Sequence, residues 1–270
     1  MLTLHNISKH YQDHVALHNT TLTFAPGAFN VLLGPSGAGK STLLRSCNLL
    51  AEPSTGYVEA DGIGAVRSQS QSRQLRLMTA CVFQQHQLIL RQSGLTNVLN
   101  GRVGARPLWA GLLPTPRADI EDALRCLERV GLEDYALTRA GSLSGGQQQR
   151  VGIARALMQK PRILLADEPV ASLDPTRAEE VLGLLHNICR EDGLCAVVSL
   201  HQVRFAKRFA DRIIALRAGR VVFDGTPEVL TQEALTHIYA PQTETPLCSA
   251  IKPQRPTEPP VAFNQTARAS

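Results

Sequence analysis

Leu2, Leu4 and Ile7 are spaced by mostly polar residues, and Thr20 to Phe24 alternates again up to Pro26-Gly27. That pattern predicts two strands and a turn. Phe29-Asn-Val-Leu-Leu33 is a short apolar run closed by Gly34, as expected of a buried strand that feeds a loop. Ser41 to Leu50 holds neither Pro nor Gly and carries Leu43, Leu44 and Leu50, so a helix is expected there; Ala80 to Gln84 fits another strand. From Gln87 to Gly141 the texture changes. Gly101, Gly104, Pro107, Gly111, Pro114 and Pro116 break up a long irregular stretch. An amphipathic helix follows, with Ile120, Ala123, Leu124, Leu127 and Val130 on one face, and the segment reads as a helical insertion into a sheet protein.

Beyond it the pattern gives a helix from Gly146 to Met158, a strand from Ile163 to Ala166, a helix from Pro175 to Arg190 and a strand from Ala196 to Leu200. Ile213 to Leu216 and Val221 to Phe223 then flank Gly219 as a hairpin. Strands alternating with helices predict an α/β fold, its mostly parallel sheet covered on both faces. From Pro241 onward the texture collapses into Pro, Thr, Gln and Ala, with six prolines in the last thirty residues and Phe263 the only aromatic. Such a segment cannot bury enough surface to fold and is expected to be disordered.

Composition narrows the class. Of 270 residues, 43% are hydrophobic and 19% charged, which allows a sizeable core and excludes a fibrous or wholly disordered chain. No run approaches the roughly 18 apolar residues of a membrane-spanning helix. The opening Met1-Leu-Thr-Leu-His-Asn-Ile7 lacks the basic flank and apolar stretch of a secretory signal, so a cytoplasmic location is expected. Twenty-eight Lys and Arg against 23 Asp and Glu give a net charge of +5, a mild excess that falls short of a nucleic-acid binder's footprint. The six cysteines show no metal-binding spacing and read as reduced thiols.

Against this background one segment stands out. Gly34-Pro35-Ser36-Gly37-Ala38-Gly39-Lys40-Ser41, followed by Thr42, matches the phosphate-binding loop and lies between a predicted strand and helix. Glycines let the backbone curl so that successive N–H groups face phosphate oxygens, and the helix adds its positive end. Lys40 can then reach the β- and γ-phosphates, and the Ser41 hydroxyl can ligate Mg²⁺. A companion follows at Ile163-Leu-Leu-Ala166-Asp167-Glu168, an apolar strand ending in two carboxylates. Neighbouring strand residues point to opposite sides, so the two acids have different tasks. Asp167 suits the Mg²⁺ beside Ser41, directly or through water, and Glu168 is placed to polarise the attacking water.

Leu143-Ser144-Gly145-Gly146-Gln147-Gln-Gln-Arg150 is similar to the signature motif of ATP-binding-cassette (ABC) ATPases. Further segments resemble that family in the same order along residues 1 to 237: Tyr11 as the aromatic that stacks on adenine, Gln84 as the Q-loop glutamine, Ser172-Leu173-Asp174 as the D-loop, and His201 as the switch histidine. The resemblance implies an α/β P-loop NTPase core with an N-terminal antiparallel β part over residues 1–86 and 142–240, an inserted helical subdomain over 87–141, and ATP and Mg²⁺ as cofactors. It also implies catalytic roles for Glu168, His201, Gln84 and Lys40, with Gln84 joining Ser41 and Asp167 at the metal. In the family, two copies bind head-to-tail, so that Ser144, Gly145, Gly146 and Gln147 serve the nucleotide of the other copy. A helix start with a glycine pair suits that task, because it allows close approach to a phosphate.

Asn97 to Gly104, Trp109 to Pro114, Leu200 to Val203 and Phe205 to Ile213 look like phosphonate-import ATPase subunits in particular. That likeness implies transmembrane permease subunits, an extracytoplasmic solute-binding protein and a place on the cytoplasmic face of the inner membrane, reached only through the permease. The Trp109 loop either docks such a partner or covers the subdomain's own core. Import of another solute, such as an amino acid or another oxyanion, and lipoprotein release are the rival transport readings. A soluble nucleic-acid-associated ABC ATPase is disfavoured because neither a coiled-coil interruption nor a second cassette is present. Deleting residues 241–270 is expected to leave the ATPase activity of the assembled transporter intact, which a comparison of hydrolysis rates checks.

Overall fold

A computed structural model describes residues 1–12, 14–83, 87–106 and 113–240. Residues 1–239 form one unit; the tail from Pro241, Gln84 and Trp109 lie outside the described residues.

The chain opens with an antiparallel hairpin of β1 (Leu2–Tyr11) and β2 (His14–Phe24), both longer than the alternation alone indicated. After β3 (Phe29–Leu33), helix α1 (Lys40–Cys47) stops short of Leu50, which is exposed, as the backbone turns left-handed at Leu49. Then come β4 (Thr55–Ala60), β5 (Gly64–Ala65), α2 (Gln69–Leu77) and β6 (Thr79–Phe83). A short α3 (Gly94–Leu99), a 3₁₀ turn over Asn100–Ala105, α4 (Arg117–Arg129) and α5 (Gly145–Leu157) follow. The chain continues with β7 (Ile163–Asp167), α6 (Pro175–Glu191), β8 (Cys195–Ser199), α7 (Val203–Phe209), β9 (Arg212–Arg217), β10 (Arg220–Gly225) and α8 (Gln232–Tyr239).

Two sheets result. One has the order β2-β1-β4-β5 and is antiparallel; the other runs β10-β9-β3-β8-β7-β6, parallel except for its β10 edge. Period-2 alternation divides the central strands between two cores. Phe29, Val31 and Leu33 of β3, Leu164 and Ala166 of β7, and Ala196 and Val198 of β8 pack against the helices on one face. Leu32, Ile163, Leu165, Cys195 and Val197 face the other way, onto α1 and the antiparallel sheet. β3 and β8 are buried along their whole length, which is why they read as unbroken apolar runs. Of their two polar residues, Asn30 and Ser199, the first donates its amide to Ala28 O at 3.2 Å and Ala196 O at 2.9 Å.

On α4 the buried stripe is narrower than the sequence indicated. Ala123 and Leu127 are buried with Val130 just beyond, while Leu124 is exposed. Asp119 takes a buried place on that helix because Arg102 pairs with it at 2.5 Å. Asp122 meets Arg102 and Lys160, both at 2.9 Å, and Arg129 meets Asp192 at 2.8 Å, fastening α4 to the segments around it. Among the described residues no helix is long and apolar enough to cross a membrane.

Candidate active site

The carboxyl ends of β3, β7 and β8 lie side by side, with β8 between the other two. In open parallel sheets this edge is where ligands bind. After β3 the chain makes the loop foreseen from the sequence, using glycine where the backbone demands it: φ is +137° at Gly34, +76° at Gly37 and +101° at Gly39. Gly39 is the N-cap of α1 and offers no side-chain cap, so the amides of the helix's first turn remain available to an anion. The Lys40 ammonium is buried and donates to Gly34 O at 2.8 Å and Pro35 O at 3.0 Å. Burial is the main force lowering its pKa, and the carboxylates of Glu168 and Asp167 offset part of that.

A cleft of about 330 Å³ runs along this loop, lined by residues 36 to 42 together with Tyr11, His14, Ala16 and Glu168. Tyr11 ends β1 half exposed, with the Lys9 ammonium 5.0 Å from its ring centre. The structure thus unites Tyr11, the phosphate loop and Glu168, which are far apart in sequence.

Ser41 Oγ donates to Asp167 Oδ1 at 3.0 Å. Two hard oxygen ligands therefore meet beside the loop, a donor set that suits Mg²⁺ held partly by substrate phosphates. No cluster of three or more His, Cys, Asp or Glu side chains able to hold a metal exists among the described residues. Glu168 lies just past the end of β7 with φ +49°, a left-handed turn that costs a residue with a side chain on the order of 1–3 kcal/mol. Its Oε1 lies 2.5 Å from Nε2 of His201. His201, two residues beyond β8, thus reaches the second carboxylate while Ser41 reaches the first.

The signature residues do not line this cleft. Ser144 caps α5, accepting the Gln147 amide at 3.3 Å, while Gln147 Oε1 accepts the Ser144 amide at 2.9 Å. Ideal Cβ atoms on Gly145 and Gly146 would come within 4 Å of Leu173 and Arg177, so the glycine pair sits beside the start of α6. Asp174 caps that helix, accepting the amides of Thr176 at 3.2 Å and Arg177 at 3.1 Å.

Three residues near the site escaped the sequence reading. His14 lines the cleft together with the loop. Tyr239, the last residue of α8, hydrogen-bonds the Gly34 backbone, which offsets part of the rise in its pKa on burial. Ser199 bridges the two carboxylate residues, bonding the Asp167 side chain and the Glu168 backbone.

A family profile for ABC transporters matches residues 17–171. The chain is 54% identical over 255 residues to a phosphite import ATP-binding protein of Stutzerimonas stutzeri, covering 94% of this chain and 90% of that one. It is 56% identical over 252 residues to a phosphonates import ATP-binding protein of Cupriavidus metallidurans, covering 93% and 90%. Among solved structures, a dimeric ATP-binding cassette in a post-hydrolysis state bound to ADP and Pi shares 35% identity and a TM-score of 0.72, covering 84% of this chain and 99% of that one. Phosphate loop, paired carboxylates and signature turn agree with these matches, and the chain belongs to the ABC transporter family as one of its ATP-binding subunits.

Proposed function

We infer that this chain is the ATP-hydrolysing, energy-coupling subunit of an ABC importer for phosphonates or a related phosphorus oxyanion. The observation that carries the catalytic half is the meeting of Lys40, the Ser41–Asp167 pair and the Glu168–His201 pair at one strand edge. The solute rests on relatives named for phosphite and phosphonate import at 54% and 56% identity.

In this reading the loop amides of residues 36 to 42 and the Lys40 ammonium hold the β- and γ-phosphates, and Tyr11 stacks on the base. Ser41 and Asp167, with Gln84 of the family pattern, would hold Mg²⁺, which when bound would neutralise charge on the phosphate oxygens. Glu168 accepts the proton of the attacking water as its oxygen meets the γ-phosphorus in line with the departing ADP oxygen. His201 orients that carboxylate and can donate to the γ-phosphate. Ser144, Gly145, Gly146 and Gln147 serve the nucleotide of a second copy, which fits their absence from the lining of this copy's own cleft. Asp174, at the α6 cap beside them, belongs to the same dimer contact. Residues 87–141 form the helical subdomain that transmits closure to transmembrane permease subunits at the inner membrane. An extracytoplasmic binding protein delivers the solute.

The test is growth of the host on a single phosphorus source. Replacing Lys40 by Ala abolishes growth on a transported phosphonate or phosphite and leaves growth on orthophosphate unchanged. Growth of the Lys40→Ala strain on both reduced-phosphorus sources would reject the solute class, and loss on one alone would tell phosphonate from phosphite.

A further inference from the structure

The end of β8 and the residues just past it touch the carboxylate pair twice. Ser199 and His201 are two residues apart at its end, and the His201 ring meets the Glu168 side chain at 2.5 Å. Ser199 makes the other contact. Its hydroxyl donates to Asp167 Oδ1 at 2.8 Å and accepts the Glu168 backbone N–H at 2.9 Å. The direction of both bonds is fixed, because an ionised carboxylate only accepts and an amide N–H only donates. The side chain is fully buried.

Register explains the meeting. Ser199 pairs with Asp167 across β7 and β8, and with Leu32 across β8 and β3. Positions 163 and 165 of β7 and 195 and 197 of β8 all face α1. Asp167 and Ser199 are the next members of those two alternating rows, so both point toward the helix that carries Ser41. Asp167 Oδ1 therefore receives two hydroxyls, one from Ser41 at 3.0 Å and one from Ser199. Only one of these belongs to a known nucleotide motif.

We propose that Ser199 is a positioning residue for hydrolysis: its single hydroxyl fixes the metal-binding face of Asp167 and anchors the left-handed backbone turn that aims Glu168. The assignment rests on the roles proposed above for Asp167 and Glu168. Glu168 leaves the strand at φ +49°, where its N–H has no ladder partner, and Ser199 supplies the acceptor. Groups that orient a metal's carboxylate ligand tune affinity and rate without touching the metal.

The experiment compares Ser199→Ala, Ser199→Thr and Glu168→Gln in the full-length chain, by steady-state hydrolysis and by calorimetric ATP binding with Mg²⁺ and with EDTA. Ser199→Ala lowers kcat about 10-fold or more and weakens Mg²⁺-supported ATP binding by a similar factor. Its affinity in EDTA stays within about 2-fold of wild type, which separates positioning from general damage. Ser199→Thr keeps the hydroxyl and restores most of both quantities; if the added methyl unfolds it, as a thermal melt would reveal, the Ser199→Ala calorimetry decides alone. Ser199→Ala with wild-type kcat and Mg²⁺-supported affinity overturns the assignment, as does an equal loss of affinity in EDTA. Glu168→Gln keeps the two readings apart. If it still turns over, the base assignment is wrong whatever Ser199 does. If it stops while Ser199→Ala behaves as wild type, only the Ser199 assignment falls.

Discussion

Replacing Glu168 by Gln stops ATP turnover, by about 10²-fold or more, while ATP still binds. Glutamine keeps the shape of the side chain but cannot take a proton from water at neutral pH. The surroundings of the position make the substitution clean. Glu168 lines the cleft, and its backbone is held by the Ser199 hydroxyl at 2.9 Å, a bond that does not involve the carboxylate. Asp167, the metal-side acid, is held separately by Ser41 and Ser199. The charge-assisted contact with His201 at 2.5 Å becomes a neutral hydrogen bond, so the histidine keeps its place beside residue 168. Phosphate release measures the loss. Size-exclusion chromatography with and without ATP measures the second consequence, a dimer that forms on binding and does not come apart. Hydrolysis near the wild-type rate would remove Glu168 as the base and leave His201, the other titratable group at that carboxylate, as the group to examine.

The phosphate loop was legible because its geometry restricts residue type. Left-handed backbone at positions 34, 37 and 39 calls for glycine, and a lysine and a hydroxyl at fixed offsets complete the pattern. The carboxylate pair was legible for a related reason, since an apolar strand ending in two acids is unusual unless something cationic or a phosphate lies ahead. Ser199 was not legible. Nothing in Ala196-Val-Val-Ser199 marks the serine, and its partners lie 31 and 32 residues away, brought in by the register of β7 and β8. The strand order itself is of this kind: β3 pairs with β8 and β9, both more than 160 residues downstream, so local pattern gives the strands but not their neighbours. Helix α2 was missed because it is polar, with Leu75 its one buried side chain. A signal was nonetheless present. Ser68 and Gln71 form a capping box like that of Ser144 and Gln147, and serine followed three places on by glutamine marks a helix start whatever comes after it. The exposed Leu124 shows the opposite error, an apolar residue assigned to the stripe by spacing although the neighbouring elements cover only Ala123, Leu127 and Val130.

Alanine at Gly34 destroys the fold around the loop, whereas alanine at Gly37 spares the fold and weakens ATP binding. The two glycines share a motif but not a physical reason. An ideal Cβ at Gly34 would lie 2.1 Å from the backbone oxygen of Leu216, and the residue holds φ at +137°. Leu216 belongs to β9, paired with β3 on the parallel sheet, so the clash falls on backbone that cannot step aside. The Gly34 backbone also bonds the Tyr239 hydroxyl, so a shift there disturbs α8 as well. A loss of about 4 kcal/mol or more is expected, in the range reserved for strain at a special backbone site. At Gly37 an added Cβ meets nothing within 4 Å, and φ is +76°. The cost to folding is then only that of left-handed backbone, about 1–2 kcal/mol. Gly37 lines the cleft, however, and in the function proposed above a methyl there stands where a phosphate approaches the amides closely. ATP affinity is expected to fall by about 10-fold or more, since each 1.4 kcal/mol of lost contact is tenfold. Thermal unfolding and calorimetric ATP binding on the two variants separate these effects. A Gly34→Ala chain that melts like wild type would mean that β9 yields where the sheet geometry says it cannot, and a Gly37→Ala chain with unchanged affinity would mean that the nucleotide does not sit against this turn.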